Sequence, residues 1–262
     1  MMADLSKIRK QFTQQGEAYK KLAYVRDDSG LKRVVALTRI QPHERVVDFA
    51  CGPGYLTIAF AAASNHAVGI DATWSFLMGA RAEASNRHQT NVAFVQGNVE
   101  STAFGNASFD VTVCRAAFHH FEDPSSVLAE MCRVTKPEGR LLVLDMLASE
   151  DRMQAAEHNR VERLCDPTHV RALSESEYRS LFDDSRLEVV YTGRGETAYT
   201  LDEWIDHGGP AAEAEREIRH IMAHSERHDT TGLRIWRVQG ELHFCHRGAA
   251  FLLRKRPDDR TA

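Results

Sequence analysis

Val46-Val47-Asp48-Phe49-Ala50-Cys51-Gly52-Pro53-Gly54 is the stretch on which the reading of this 262-residue chain turns. A β-branched run ends in an acidic residue, and glycines follow at 52 and 54. Leu56, Ile58, Ala59, Phe60 and Ala63 come next, an apolar, helix-like segment. The pattern predicts a buried strand turning tightly into a helix, with a nucleotide-sized ligand lying over the turn. Glycine serves where the backbone takes unusual dihedrals or lets a ligand approach closely. Further on, Val68-Gly69-Ile70-Asp71 is a second apolar run that ends in a carboxylate. An acid at that strand tip suits a ribose diol, because it accepts two hydroxyl hydrogen bonds. Together the two signals imply a cofactor that carries an adenosine.

Outward from this turn, strands and helices alternate. Strands are expected at 46–50, 67–71, 92–96, 109–115 and 140–147, with helices at 53–63, 75–86 and 124–135 between them. Pro137-Glu138-Gly139 reads as a turn. Strands separated by helices define an α/β class with a parallel, doubly wound sheet. Residues 1–40 read as a helical lid in two pieces, the second capped by Asp28 or Ser29. Beyond 148 the pattern loosens. Helical insertions are expected at 149–172 and 200–230, with a capping-box start at Ser174-Glu175-Ser176-Glu177. Closing strands are expected at 186–194 and 233–256, the latter in short pieces with a turn at Gln239-Gly240. The whole of 1–262 reads as one domain around a cofactor-binding core at 41–148. The insertions would sit near the carboxyl edge of the sheet, where open α/β sheets bind ligands.

Composition narrows the function. The hydrophobic share of 43% supports a sizeable core, and 33 basic against 37 acidic residues are well mixed. No long basic run supports nucleic-acid binding. No apolar run reaches the length of a membrane span. Cys51, Cys114, Cys132, Cys165 and Cys245 are scattered, which fits reduced thiols in a cytoplasmic setting. Self-association is left open.

At this point the motifs resemble a family, the class I S-adenosylmethionine-dependent methyltransferases. The likeness is greatest to their UbiE-like small-molecule branch of ubiquinone and menaquinone biosynthesis. It rests on the glycine stretch 46–54, on Asp71, and on Gln96-Gly97-Asn98-Val99-Glu100 followed by Phe104. It rests also on Phe109-Asp110-Val111-Thr112-Val113-Cys114-Arg115-Ala116-Ala117-Phe118-His119-His120-Phe121 and on Arg133 to Leu141. These motifs occur in the family's order and cover roughly residues 1–147. The resemblance implies a mostly parallel seven-stranded Rossmann-like sheet with an antiparallel last strand. It implies S-adenosyl-L-methionine as cofactor, S-adenosyl-L-homocysteine as product, and a small organic acceptor. Asp48, Ala50, Cys51, Gly52 and Gly54 would form the cofactor loop. Asp71 would take the ribose with Ala72 beside it, Asn98 and Val99 would flank adenine, and Arg115 would face cofactor or substrate. Asn98 stands where the family commonly has Asp, and Glu138 where it has glycine.

Methyl transfer from a sulfonium is an in-line displacement that needs alignment and exclusion of water. A base is required only if the nucleophile starts protonated. His119, His120 and His169 are the candidate catalytic groups; the plainer reading of each is packing or a hydrogen-bonded loop. Arg171, Trp204 and His207 are further candidates for the substrate cavity. Phe12, Tyr19 and Tyr24 are candidate lid aromatics for a cationic sulfonium, with Tyr19 the cofactor contact. His220, His224 and His228 share a helix face, but their charged neighbours read as solvated surface, and no metal is expected. A nucleotide-dependent oxidoreductase is the alternative from another enzyme class, weakened by Thr57 where a third glycine is wanted. A cofactor-binding protein without turnover is the second alternative.

Overall fold

The computed structural model describes residues 6, 7, 9, 11–13 and 27–257. Among them the strands are β1 (Arg45–Phe49), β2 (His66–Asp71), β3 (Val92–Gln96), β4 (Phe109–Arg115), β5 (Thr135–Met146), β6 (Leu187–Thr200), β7 (Arg234–Val238) and β8 (Glu241–Lys255). They form one sheet of eight strands in the order β3-β2-β1-β4-β5-β8-β6, with β7 paired to β8 off that row. β1 to β5 are parallel, and β8 runs antiparallel between β5 and β6. This is the Rossmann-like sheet with an antiparallel closing strand that the sequence led us to expect.

The helices are α1 (Asp28–Leu37), α2 (Tyr55–Ala61), α3 (Trp74–Asn86), α4 (Pro124–Val134), α5 (Arg152–Cys165), α6 (Glu175–Asp184), α7 (Leu201–Gly208) and α8 (Ala212–His228). Helices on both faces explain why β1 and β4 are buried without alternation. One core joins Phe49, Ile70, Leu128 and Met131 to Tyr178, Phe182 and Phe251. The other face joins Val46, Phe60, Val113 and Leu142 to Leu31 and Val35 of α1. A third cluster, Val161, Trp204, Ile218, Met222 and Phe244, holds the insertion helices to β8. Each such large side chain contributes about 1.5–3 kcal/mol by leaving water. No helix among the described residues is long and apolar enough to cross a membrane.

Local boundaries differ from expectation where tertiary contacts intervene. The cap of α1 is Asp27, which accepts from the Ser29 amide at 3.0 Å, rather than Asp28 or Ser29. The expected turn at 137–139 lies inside β5, as an irregularity between the pairs Phe109–Thr135 and Val111–Arg140. Thr135 starts the strand early because its hydroxyl donates to the Met131 carbonyl and meets the Thr112 hydroxyl, both buried. The two short closing strands after Gly240 are one strand, β8, carried through Gly248 by pairing with Met146 and Gly195. A Cβ on Gly248 would stand 3.1 Å from the Asp145 carbonyl oxygen. β6 likewise runs on to Thr200, which pairs with His243 and caps α7. The capping box of Ser174 and Glu177 and the tight turn at Gln239-Gly240 form as the sequence predicts.

Candidate active site

The carboxyl ends of β1, β2 and β4 surround a cleft of about 110 Å³. Asp48, Ala50, Cys51, Gly52, Asp71, Ala72, Asn98, Val99 and Arg115 all line it, so nearly every described residue assigned to the cofactor is here. Gly54 is the exception. It lies beneath the cleft at φ +77°, with the Ala80 Cβ and the Phe94 ring 2.6 Å from where its own Cβ would stand. Gly52, at φ +51°, has nothing within 4 Å of that position. The lining also includes Thr73, Phe76 and Phe121, which sequence reasoning missed. Tyr19 and Tyr24 lie outside the described residues.

The two strand-end acids divide the work. Asp71, not Asp48, holds the glycine-loop amide: Gly52 N donates to its Oδ2 at 2.8 Å and Thr73 N to its Oδ1 at 2.7 Å. Each carboxylate oxygen keeps capacity for a further hydrogen bond. Burial pushes the Asp71 carboxyl up, against the Thr73 and Gly52 amides. Asp48 accepts instead from the Thr57 hydroxyl at 2.7 Å, tying β1 to α2. Burial pushes Asp48 up to about 7, opposed by Thr57 and by the charge of Arg115. Asn98 Oδ1 accepts from the Glu100 amide at 3.0 Å, which fixes the loop after β3. Ala50 and Ala116 end β1 and β4 with φ of +53° and +52°. Such strain in residues with a side chain gathers at functional sites.

Beyond β4 the chain enters a short 3-10 turn, Phe118–His120, that carries both histidines. His119 Nδ1 lies 2.6 Å from Asp145 Oδ1, and Asp145 also accepts from the amides of Ala117, His119 and Met146. With its acceptors so occupied, Asp145 is an ionised partner, and the His119 Nδ1 carries the shared proton. Burial alone would lower the His119 pKa, but the charge and hydrogen bond of Asp145 raise it. His120 is lowered to about 4 by burial and by His119, whose ring centroid is 4.1 Å away. The His120 Nδ1 faces the Thr168 carbonyl at 3.1 Å, so Nδ1 donates and Nε2 carries the lone pair.

His169 does not reach either cavity. It is buried, bonds Asn159 Oδ1 through Nε2 at 2.7 Å, and stacks on His119. Arg171 is equally remote, paired with Glu177. Their loop instead buttresses the histidine turn, since the amides of Val170 and Arg171 both donate to the His119 carbonyl. Asp145 was not foreseen, although a lone carboxylate in Leu141-Leu142-Val143-Leu144-Asp145-Met146-Leu147 was a signal.

A second cavity, about 1050 Å³, adjoins the first and runs along β5, β8 and β6. His119, Asp145, Glu162, Trp204 and His207 line it, so α5 and α7 of the insertions close it on one side. Phe12, Arg115, Ala116 and His120 line both cavities and form their shared wall. Phe12 packs on Phe76 and edge-on to His120. His220, His224 and His228 are exposed on α8, away from both cavities.

Sheet order, glycine turn and strand-end acids define a class I methyltransferase fold, and comparison with known proteins agrees. A family model described as a methyltransferase domain matches residues 40–186. The chain belongs to the class I S-adenosylmethionine-dependent methyltransferases and is related to UbiE-like small-molecule enzymes. It is 31% identical over 236 residues to YcgJ of Bacillus subtilis, an uncharacterised methyltransferase, covering 89% of this chain and 93% of that one. The crystal structure of YcgJ superposes with a TM-score of 0.81 at 30% identity, covering 87% of this chain and 98% of that one. A putative methyltransferase of Bacillus halodurans gives 0.82 at 26% identity over 87% of this chain and all of its own. UbiE of Francisella philomiragia is 32% identical over 118 residues, 44% of this chain and 47% of that one.

The residues present fit S-adenosylmethionine. Gly52 opens onto the cleft, Val99, Phe76 and Phe121 offer apolar walls, and two buried carboxylates suit a cationic ligand that carries a diol.

Proposed function

We propose that this methyltransferase moves a methyl group to an O, N or C nucleophile of a small organic acceptor held in the larger cavity. The observation that carries this reading is the shared wall of Phe12, Arg115, Ala116 and His120, across which donor and acceptor would meet. Asp71 takes the ribose hydroxyls, Asn98 and Val99 flank the adenine, and Asp48 faces the methionine end. S-adenosylmethionine supplies a methyl carbon already activated on a sulfonium. The protein's task is to align the nucleophile with that carbon and keep water out.

Where the nucleophile starts protonated, His119 is the base. Its Nδ1–H is given to Asp145, which leaves the Nε2 lone pair for the acceptor's proton, and Asp145 strengthens it as a base. His120, held neutral, positions the acceptor at the wall between the cavities. Bound S-adenosylmethionine would give up the methyl group and leave as S-adenosylhomocysteine, while His119 Nε2 would take the acceptor's proton. Relatives named for C-methylation and for O-methylation match half of their own length or less, so neither atom is favoured here.

The test is release of S-adenosylhomocysteine by the purified chain across a panel of small phenols, carboxylic acids, amines and enolisable carbonyl compounds. Turnover of one class is expected, reduced by about 10²–10⁴-fold in His119→Ala if a base is used. Tight S-adenosylhomocysteine binding with no turnover of any class would overturn the reading in favour of a non-catalytic cofactor-binding protein.

A further inference from the structure

Behind the larger cavity, His158 and Glu162 sit one turn apart on α5 and face His246 on β8. Spacing of i, i+4 puts the two α5 side chains on one helix face. The three potential ligand atoms lie within 4.8 Å of one another, and all three residues are buried. Both imidazoles aim Nε2 at the same carboxylate oxygen: His246 at 2.7 Å and His158 at 3.3 Å from Glu162 Oε1. His246 makes a hydrogen bond there. The His158 Nε2 makes none, although the residue is only 1% exposed. A buried imidazole nitrogen that has an ion-pair contact at 3.3 Å but no hydrogen bond of good geometry leaves room for a further partner.

We propose that His158, Glu162 and His246 are a three-ligand site for a divalent transition ion of the zinc class. Two imidazoles and one carboxylate suit such an ion, whereas calcium and magnesium prefer all-oxygen shells. Tetrahedral bonds of about 2.0–2.2 Å place neighbouring ligand atoms roughly 3.3–3.6 Å apart. The His158–Glu162 separation of 3.3 Å lies at the low end of that range, and the 2.7 Å Glu162–His246 contact would have to open by about 0.6–0.9 Å. The site is closed on the protein side: the rings of Tyr199, Trp204 and Phe244 pack about His246 at 5.1–6.2 Å between centroids. It is open on the other, because Glu162 and His246 line the cavity assigned to the acceptor. Three protein ligands and an open position form the arrangement of a site that takes a further ligand. Sequence spacing does not reveal this site, because His246 stands 84 residues from Glu162.

The experiment uses the full chain, stripped with chelator and dialysed, titrated with Zn²⁺ by calorimetry and with Co²⁺ by visible absorption. The α8 histidines are a competing surface site, so the same titrations are run on the double variant His224→Ala/His228→Ala. The expected result is one equivalent of Zn²⁺ and a Co²⁺ spectrum of low coordination number, both retained in the double variant. Glu162→Gln, and separately His246→Gln, weakens Zn²⁺ by about tenfold or more, an effect that loss of even an outer partner can reach. Unchanged S-adenosylhomocysteine affinity in at least one of these two variants shows that the fold persists. Absence of stoichiometric Zn²⁺ binding, or binding lost with the α8 histidines and kept in Glu162→Gln and His246→Gln, overturns the proposal.

Discussion

Gly52 and Gly54 take similar left-handed backbone, but their surroundings give each a different reason to lack a side chain. At Gly54 a Cβ would collide with Ala80 and Phe94 in the packing of α3 and β3 against the turn. Gly54→Ala is therefore expected to cost about 2–4 kcal/mol, from overpacking and backbone strain, read as a lower urea midpoint. At Gly52 a Cβ meets no protein atom and protrudes into the cleft. Gly52→Ala should lose only about 1 kcal/mol of stability, since Ala50 next to the turn tolerates the same backbone region. Its S-adenosylhomocysteine affinity should nevertheless fall by about tenfold or more in calorimetry. Equal effects of the two substitutions on stability and affinity would show that the turn has only one role.

Between elements, the ends of β4 and β5 make the His119–Asp145 pair, and the pair makes a pH prediction. The folded His119 pKa is raised, and a base works only when neutral, so activity should rise with pH through a value above the ordinary 6.5. Asp145→Asn removes the charge that raises it. The rising limb of the pH–rate profile should then move to lower pH, with a lower plateau because the base is weaker. A limb that stays in place would assign the pH dependence to another group. The same pair shows what was legible in the sequence. The residues assigned to the cofactor were readable because they sit within a few positions of a strand end, in a local strand–turn pattern. Asp71 and Asn98 needed no knowledge of distant parts of the chain. His119 was visible, but its partner was not, since Asp145 arrives through β4–β5 pairing across 26 positions. For His169 the plainer of the two sequence readings, a hydrogen-bonded loop, matches the structure, in which the loop turns inward to hold the histidine turn.

For the molecule as a whole, the layout separates two tasks. Parallel strands β1 to β5 bring the cofactor residues to one edge. The long antiparallel pair β6 and β8, with α5, α7 and α8 packed on it, builds a second chamber beside that edge. The sequence predicted insertions and a substrate cavity near this edge but not the share that α1 and β5 take in its walls, which only the folded sheet brings together. Donor and acceptor are expected to meet where the two chambers share Phe12, Arg115, Ala116 and His120. A crystal structure of the chain with S-adenosylhomocysteine bound tests it most directly. The ribose hydroxyls are expected on Asp71 and the sulfur at the shared wall, facing the larger cavity. A sulfur turned away from Ala116 and His120, or a ribose without contact to Asp71, would contradict it.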